Sequence, residues 1–364
     1  MDQSNIFGQK IIEGIGLTFD DVLLLPNFCE VKRQEIDVST NLTAKIRLKI
    51  PLLSSPMDTV TEENMSIGLN SLGGLGVIHR NLTIDIQAKK VAAVKKESDL
   101  CAAAVGVGPD LEERAEKLIS SGCDILIIDS AHGHSKWVIE ATGFLSSRYT
   151  DTEIISGSIA TAAGAKALIE AGADCLRVGM GPGSICSTRI VAGMGVPQIT
   201  AILETVSVAH KHSVPVISDG GLRSSGDLVK AVACGASTVM TGSLLAGCRE
   251  SPGKLVTVHG GKYKFYRGMG SVSAMKEGSA ARYGQMYRKG QRNKLIAEGV
   301  EGLVPFKGNL DGVVEQLIGG LRTGMYYAGV KNIEELQTKT RLMRISHSSL
   351  LENHPHDIII KEIE

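Results

Sequence analysis

An excess of charge of one sign is missing from this 364-residue chain: Lys+Arg and Asp+Glu are each 39, for a formal net charge of zero. That balance argues against a surface built to wrap a polyanion such as nucleic acid. Long apolar runs are missing too. None approaches the roughly 18 residues that a membrane span needs, and the start, Met1 to Lys10, is polar and lacks the charged-then-apolar pattern of a secretory signal. A soluble, cytoplasmic protein with neither nucleic-acid nor membrane partners is the expectation. The seven cysteines, at positions 29, 101, 123, 175, 186, 234 and 248, include no Cys-x-x-Cys pair and no secreted disulfide framework, which fits a reducing compartment.

What is present is core and glycine. Hydrophobic residues make up 43% of the chain, enough to bury one large domain with decorations. The 42 glycines cluster after short apolar runs, where a backbone turns tightly or approaches a ligand. Eight such runs recur: Pro51 to Ser55, Leu75 to His79, Ala102 to Val107, Ile125 to Asp129, Ile154 to Ser158, Cys175 to Gly179, Val214 to Asp219 and Thr238 to Gly242. Between them lie helical spacings, such as Leu111, Ala115, Leu118 and Ile119 closing on Gly122, or Ala163, Ala167, Leu168 and Ala171 closing on Gly172. Strand then helix, eight times, predicts an α/β fold of the TIM (β/α)8 barrel type spanning 1–364 as a single domain, with a doubly wound open sheet as the competing arrangement.

In a barrel the C-terminal ends of the strands converge on one mouth. Here they are small and polar: Ser55, His79, Asp129, Ser130, Ser158, Gly179, Asp219, Gly220, Gly221, Gly242 and Ser243. Two intervals are long, the loop after the sixth strand and a flap after the eighth, about residues 250–308. The first carries Gly179-Met-Gly-Pro-Gly-Ser-Ile-Cys186-Ser-Thr188-Arg189, which frames one thiol among hydroxyls and an arginine able to stabilise a thiolate. Its glycine spacing does not match a Rossmann phosphate turn. The other six cysteines read as small buried hydrophobes. Asp219-Gly-Gly-Leu-Arg223 and Met240-Thr-Gly242-Ser243 end the last two strands, where barrels build phosphate sites, although such glycines also serve plain tight turns. Asp219 suits ribose hydroxyls, so a nucleotide is suggested. By residue type alone, the segment around Arg282-Tyr283 is a solvated loop. His132 and His134, like His354 and His356, have no further partners that complete a transition-metal set.

Taken together, Thr18-Phe-Asp-Asp-Val-Leu-Leu, Ser54-Ser-Pro-Met-Asp-Thr-Val-Thr-Glu62, Gly181-Pro-Gly-Ser-Ile-Cys-Ser-Thr-Arg189 and Tyr266-Arg-Gly-Met-Gly-Ser271 resemble the inosine monophosphate dehydrogenase family along essentially the whole chain. The related guanosine monophosphate reductases carry Glu-Tyr-Arg where this chain has Arg282-Tyr283, which favours the dehydrogenase side. The resemblance implies NAD-dependent oxidation of inosine monophosphate to xanthosine monophosphate through a covalent adduct on Cys186, with Arg282 activating water and Thr188 and Tyr283 assisting. An arginine is an unusual base, because its pKa lies far above neutrality. The resemblance assigns Ser55, Met57, Ser184, Asp219, Gly221, Gly242, Ser243, Tyr266, Gly268, Met269, Gly270 and Glu298 to the nucleotide. It assigns Asp129, Ser130, Ser158, Arg177, Gly179 and Gly181 to NAD. It also implies potassium held by Gly181, Gly183 and Cys186 with Glu352, Asn353 and His354 from a neighbouring subunit, and a homotetramer as well.

The chain departs from the family in several places. Only a short helical linker joins Asn81 to Leu100, where family members usually insert a regulatory pair of CBS modules; about 82–100 is too little chain for even one. Whether by natural shortening or by deletion, control by adenine or guanine nucleotides through such modules is expected to be absent. Ser158, Ser187 and Gly284 stand where the family has Asn, Thr and an aromatic. A non-catalytic nucleotide-binding paralogue, or a barrel acting on another sugar phosphate, leaves Cys186, Thr188, Arg282 and Tyr283 unexplained.

Overall fold

The computed structural model describes residues 10–288, 294–355 and 358. Most of the polar start Met1 to Lys10, and His356, lie outside those residues. Eight parallel strands close into a barrel: β1 (Leu52–Ser54), β2 (Leu75–Ile78), β3 (Ala102–Val105), β4 (Ile125–Ile128), β5 (Glu153–Ile159), β6 (Cys175–Val178), β7 (Val216–Asp219) and β8 (Thr238–Thr241). The barrel closes where β8 pairs with β1, Met240 opposite Leu53. Each of the eight apolar runs is therefore a barrel strand, and the open doubly wound sheet is excluded.

Alternation along the strands makes two cores. Leu53, Leu75, Val77, Ile125, Ile127, Ile155, Ile217 and Met240 fill the barrel interior, while their neighbours Leu52, Ile78, Leu126, Ile128 and Val239 face the outer helices. Both faces are covered, which is why the strands read as continuous apolar runs rather than alternating ones. The bottom is plugged by the short hairpin Thr40–Asn41 with Arg47–Leu48, whose Leu48 and neighbouring Leu42 join the interior core. Chemistry is left to the other end.

The outer layer is α1 (Glu63–Ser71), α2 (Ile84–Glu97), α3 (Leu111–Ser120), α4 (Lys136–Arg148), α5 (Ala162–Glu170), α6 (Gln198–Ala209), α7 (Ser225–Ala233) and α8 (Leu310–Ala328). Local signals set their ends: Thr83, Thr161 and Ser224 cap α2, α5 and α7 through side-chain oxygens, and Gly122 and Gly172 follow α3 and α5 at φ +98 and +93. Between β2 and β3 stands α2 alone. Among the described residues no helix is long and apolar enough to cross a membrane.

Two features were not legible as runs. The flap is rooted in a three-stranded antiparallel sheet, β9 (Leu255–Val258), β10 (Gly261–Arg267) and β11 (Glu301–Pro305). A strand at Val22–Leu24 pairs with Leu342–Arg344 near the C-terminus. These strands are short and partly exposed or, in Gly261–Arg267, interrupted by Lys262, Lys264 and Arg267, so they carry no continuous apolar signature.

Candidate active site

At the C-terminal ends of the strands lies an open cleft of about 1150 Å³. Its walls come from the loop after β1 (Ser55, Met57), the ends of β4 and β5 (Ser130, Ser158), β6 and the cysteine loop (Arg177, Gly179, Gly181, Gly183, Ser184, Cys186, Thr188), the ends of β7 and β8 (Asp219, Gly221, Gly242, Ser243) and the flap (Tyr266, Gly268, Met269, Gly270, Arg282, Tyr283, Glu298). Sequence positions as far apart as 55 and 299 thus share one pocket. Asp129 stands just behind the wall, 2% exposed. Glu352, Asn353 and His354 do not reach this cleft: they end the helix His347–Glu352, elsewhere on the chain.

Cys186 is partly exposed at the heart of the cleft. Its Sγ lies 3.2 Å from Thr188 Oγ1, and that hydroxyl donates to Glu298 Oε2 at 2.9 Å. A thiol, a hydroxyl and a carboxylate therefore form a chain along which a proton can pass. The flap completes it: the backbone around Glu298 and Val300 pairs with Ile185 and Ser187 on either side of the cysteine. Five of the other cysteines are buried in the core, as expected, and Cys29 is half-buried, its Sγ directed at the Val31 carbonyl.

Two expectations based on residue type are overturned here. Arg189 does not face the thiol; it turns back and donates to the Met180 and Val196 carbonyls, bracing the loop. The space is made by Gly181 and Gly195, where a Cβ would press on its side chain. The arginine that lines the cleft with Cys186 on the flap side is Arg282. The segment around Arg282 is likewise no solvated loop: its guanidinium donates to Asp129 Oδ2, with the side chain 16% exposed. Gly, Ser and Ala give no periodicity, so residue types alone could not show that the segment docks.

Electrostatics follow from this packing. Burial works against the charge of Asp129, but Arg282, Arg177 and Arg80 outweigh it and hold the carboxyl below its usual range. Burial likewise opposes the charge on Arg282, yet Asp129 leaves its pKa above the ordinary arginine value. Asp219, near Arg177 Nε at 3.6 Å, is raised by burial. The Tyr266 and Tyr283 phenols are raised for the same reason and stay neutral donors.

Glycine supplies the anion-facing backbone. Gly220 and Gly221 are consecutive at φ +85 and +80, a turn that can aim N–H groups into the cleft, and at Gly242 a Cβ would lie 2.7 Å from the Tyr266 hydroxyl. In the cysteine loop the Gly183 carbonyl accepts from Cys186 N, whereas the Gly181 and Cys186 carbonyls accept no hydrogen bond among the described residues. Those free carbonyls fit a hard monovalent cation. Among the described residues there is no cluster of three or more His, Cys, Asp or Glu that would hold a transition metal.

Sequence reading missed the supports. Arg267 grips Asp58 through Nε at 3.1 Å and Nη2 at 2.7 Å, and Asn81 donates to the same carboxylate at 2.8 Å, so the root of the flap is clamped to the β1 loop. Arg80, beside Asp129, also escaped notice, although it directly follows the polar strand end at His79. Arg267 lies among the glycines of the Tyr266–Ser271 motif, whereas Arg80 lies outside all four quoted motifs.

Comparison with known proteins places the chain among relatives of known name. Residues 16–356 match the family model described as IMP dehydrogenase / GMP reductase domain. The chain is similar to inosine-5'-monophosphate dehydrogenase of Cryptosporidium parvum, 46% identical over 394 residues that cover 96% of this chain and 97% of the relative. The enzyme of the same name from Borreliella burgdorferi is 43% identical over 392 residues, 94% and 97% of the two chains. That of Methanocaldococcus jannaschii is 39% identical over 486 residues, 98% of each.

Proposed function

The chain belongs to the IMP dehydrogenase / GMP reductase family, and from that premise we propose that it oxidises inosine 5'-monophosphate to xanthosine 5'-monophosphate with NAD, the committed step of guanine nucleotide synthesis. The observation that carries the reading is the Cys186–Thr188–Glu298 chain facing Arg282 across one cleft. A binding module needs neither the thiol nor the relay.

In this reading the phosphate rests on the backbone at Gly221, Gly242 and Ser243, and Asp219 takes the ribose hydroxyls. Cys186 Sγ bonds to C2 of the purine, and C2 then gives up a hydride. NAD supplies the hydride acceptor when bound, in the part of the cleft bordered by Ser130, Ser158, Arg177, Gly179 and Gly181, with Asp129 behind them. Water then adds at C2, the carbon–sulfur bond breaks, and the thiol returns. Arg282 stays cationic beside Asp129, so it orients and polarises the water while the proton leaves through Thr188 to Glu298. Tyr283 stands beside it, against Gly270. Ser55, Met57, Ser184, Tyr266, Gly268, Met269 and Gly270 wall the nucleotide.

Potassium belongs to the proposal, held by the Gly181, Gly183 and Cys186 carbonyls together with Glu352, Asn353 and His354 of a neighbouring chain in a cytoplasmic homotetramer. A cation there would stiffen the loop that presents the thiol. The helix α2 alone between β2 and β3 supports a catalytic domain free of control through CBS modules. The test is NADH formation from inosine monophosphate and NAD in potassium and in sodium, beside NADPH oxidation by guanosine monophosphate. Potassium-dependent NADH is expected. Activity only in the second assay would make the protein a reductase, and silence in both with retained nucleotide binding would make it a binder.

A further inference from the structure

Asp129 presents two oxygens to three guanidiniums. Oδ1 is held by Arg177 Nη2 at 2.9 Å. Oδ2 is taken by Arg282 from the flap, yet Arg80 Nε, from the end of β2, also lies 4.0 Å from that same oxygen. The Arg80 Nε is buried and makes no hydrogen bond among the described residues, an arrangement that proteins avoid unless something else is gained. Its path is built: Gly106 at the end of β3 leaves the room, since a Cβ there would lie 2.9 Å from Arg80 Nη1. Behind it, Arg114 occupies Asp110 and Gln87, so Arg80 has no nearer acid than Asp129.

We propose that Arg80 is a positioning residue that competes with Arg282 for Asp129 Oδ2 and thereby sets how firmly the flap docks. This rests on the proposed function: NAD would lie by Ser130, Ser158 and Arg177 with Asp129 behind them, which is where Arg282 docks, so flap and NAD would alternate at the mouth. With Arg282 docked, Arg80, Arg177 and Arg282 face two carboxylates, Asp129 and Asp219, and Arg80 and Arg282 oppose each other's charge. With Arg282 withdrawn, two guanidiniums match two carboxylates, and Arg80 is the group that replaces the departed partner. The flap therefore leaves without stranding Oδ2 of a buried carboxylate whose Oδ1 Arg177 already holds, a loss that would otherwise favour the docked flap. Arg80 lowers the barrier to opening at the expense of the closed state, and so shifts the balance toward a mouth open to cofactor.

The test compares Arg80→Met, Arg80→Lys and Gly106→Ala with the parent protein. Gly106→Ala keeps every charge and only displaces the guanidinium, so it decides the matter if Arg80→Met fails to fold. In Arg80→Met the KM for NAD should rise roughly tenfold, the scale of one removed guanidinium repulsion in a partly buried site. The NADH burst at saturating substrates should persist. Gly106→Ala should move in the same direction, and Arg80→Lys should restore most of the parent behaviour. A second readout needs no turnover: in ligand-free protein, trypsin cleavage after Arg282, followed by mass spectrometry, should slow in Arg80→Met. An unchanged or lower KM for NAD, or faster cleavage after Arg282, would overturn the proposal. Absence of NADH from the parent protein would instead remove the functional reading, and the cleavage experiment would still decide the role of Arg80.

Discussion

Arg282 on the flap donates to Asp129 at the end of β4, a contact that spans 153 positions of sequence and closes the mouth of the barrel over Cys186. That carboxylate thus anchors the Arg282 end of a flap whose root is held by the Arg267–Asp58 pair and whose return strand pairs with the cysteine loop. Because Asp129 is 2% exposed, its pairing with Arg282 is screened little by solvent and carries weight that a surface pair would not.

Removing the flap cation should separate the two halves of the reaction. Arg282→Ala is expected to keep a burst of NADH and then stall, with turnover lowered roughly a hundredfold or more and nucleotide trapped on the protein. Cys186→Ala should lose the burst itself. Rapid-mixing absorbance and intact-protein mass spectrometry read both. Equal loss of burst and turnover in the two variants would sink the division of roles.

The relay makes a different claim. Thr188→Val and Glu298→Gln each interrupt the path Cys186–Thr188–Glu298, so both should slow adduct hydrolysis by a similar factor, on the order of ten to a hundred. The double variant should be little worse than either single one, since members of one path are not additive. Single-turnover release of product from the isolated adduct measures this, and a multiplicative double variant would mean the two groups act separately.

A cluster behind the mouth sets a pH limit on stability. Asn81 N donates to His79 Nδ1, which leaves the Nε2 proton to Glu62 Oε1 at 3.2 Å, and Lys90 reaches the same carboxylate at 2.9 Å. The hydrogen bond from His79, against burial and with help from Lys90, holds the Glu62 carboxyl down to about 2, from an ordinary 4.5. A depressed carboxyl stabilises above its unfolded pKa and stops doing so as pH falls through the folded one. Allowing for its partial exposure, about 1–2 kcal/mol is present at pH 7 and lost between roughly pH 4.5 and 2. Glu62→Gln should therefore melt lower at neutral pH, and the gap should close across that window. A gap that stays constant with pH would show that packing, and not charge, is what Glu62 contributes.

Much of this was legible because barrel strands announce themselves. Ile125–Ile128 is apolar on both faces and is followed by Asp129, and Cys175–Val178 is interrupted only by Arg177 and is followed by Gly179, so eight runs and their mouth residues can be read directly. The place of the flap after the eighth run was legible, but its sheet was not, since the strands Leu255–Val258 and Glu301–Pro305 are largely exposed. Nor were the arginines: a sequence shows that Arg80, Arg189 and Arg282 exist but not which carbonyl or carboxylate each meets. Residue types pointed to Arg189 as the cation beside the thiol, whereas in the structure Arg189 braces the loop and Arg282 lines the cleft.

Glycine positions offer the sharpest contrast between structural and functional sites. Gly179 ends β6 at φ +151, where a Cβ would lie 2.1 Å from the Asp219 carbonyl oxygen at the end of β7. That neighbour is backbone and is also bonded by Gln198 Nε2, so it cannot simply swing aside. Gly179→Ala must part the two strand ends where the ribose carboxylate sits and the cysteine loop begins. We expect roughly 2–3 kcal/mol of destabilisation and a fall of at least about a hundredfold in kcat/KM, as misplaced reacting groups produce. Gly312 on α8 is the opposite case: a Cβ there meets nothing within 4 Å, so Gly312→Ala should stabilise by about 0.5–1 kcal/mol through helix propensity and leave kinetics unchanged. Thermal unfolding beside steady-state assay measures both. If Gly179→Ala kept the parent kcat/KM while losing stability, the ends of β6 and β7 would not be what holds Asp219 and the thiol in register, and the cysteine loop would have to take its position from the flap instead.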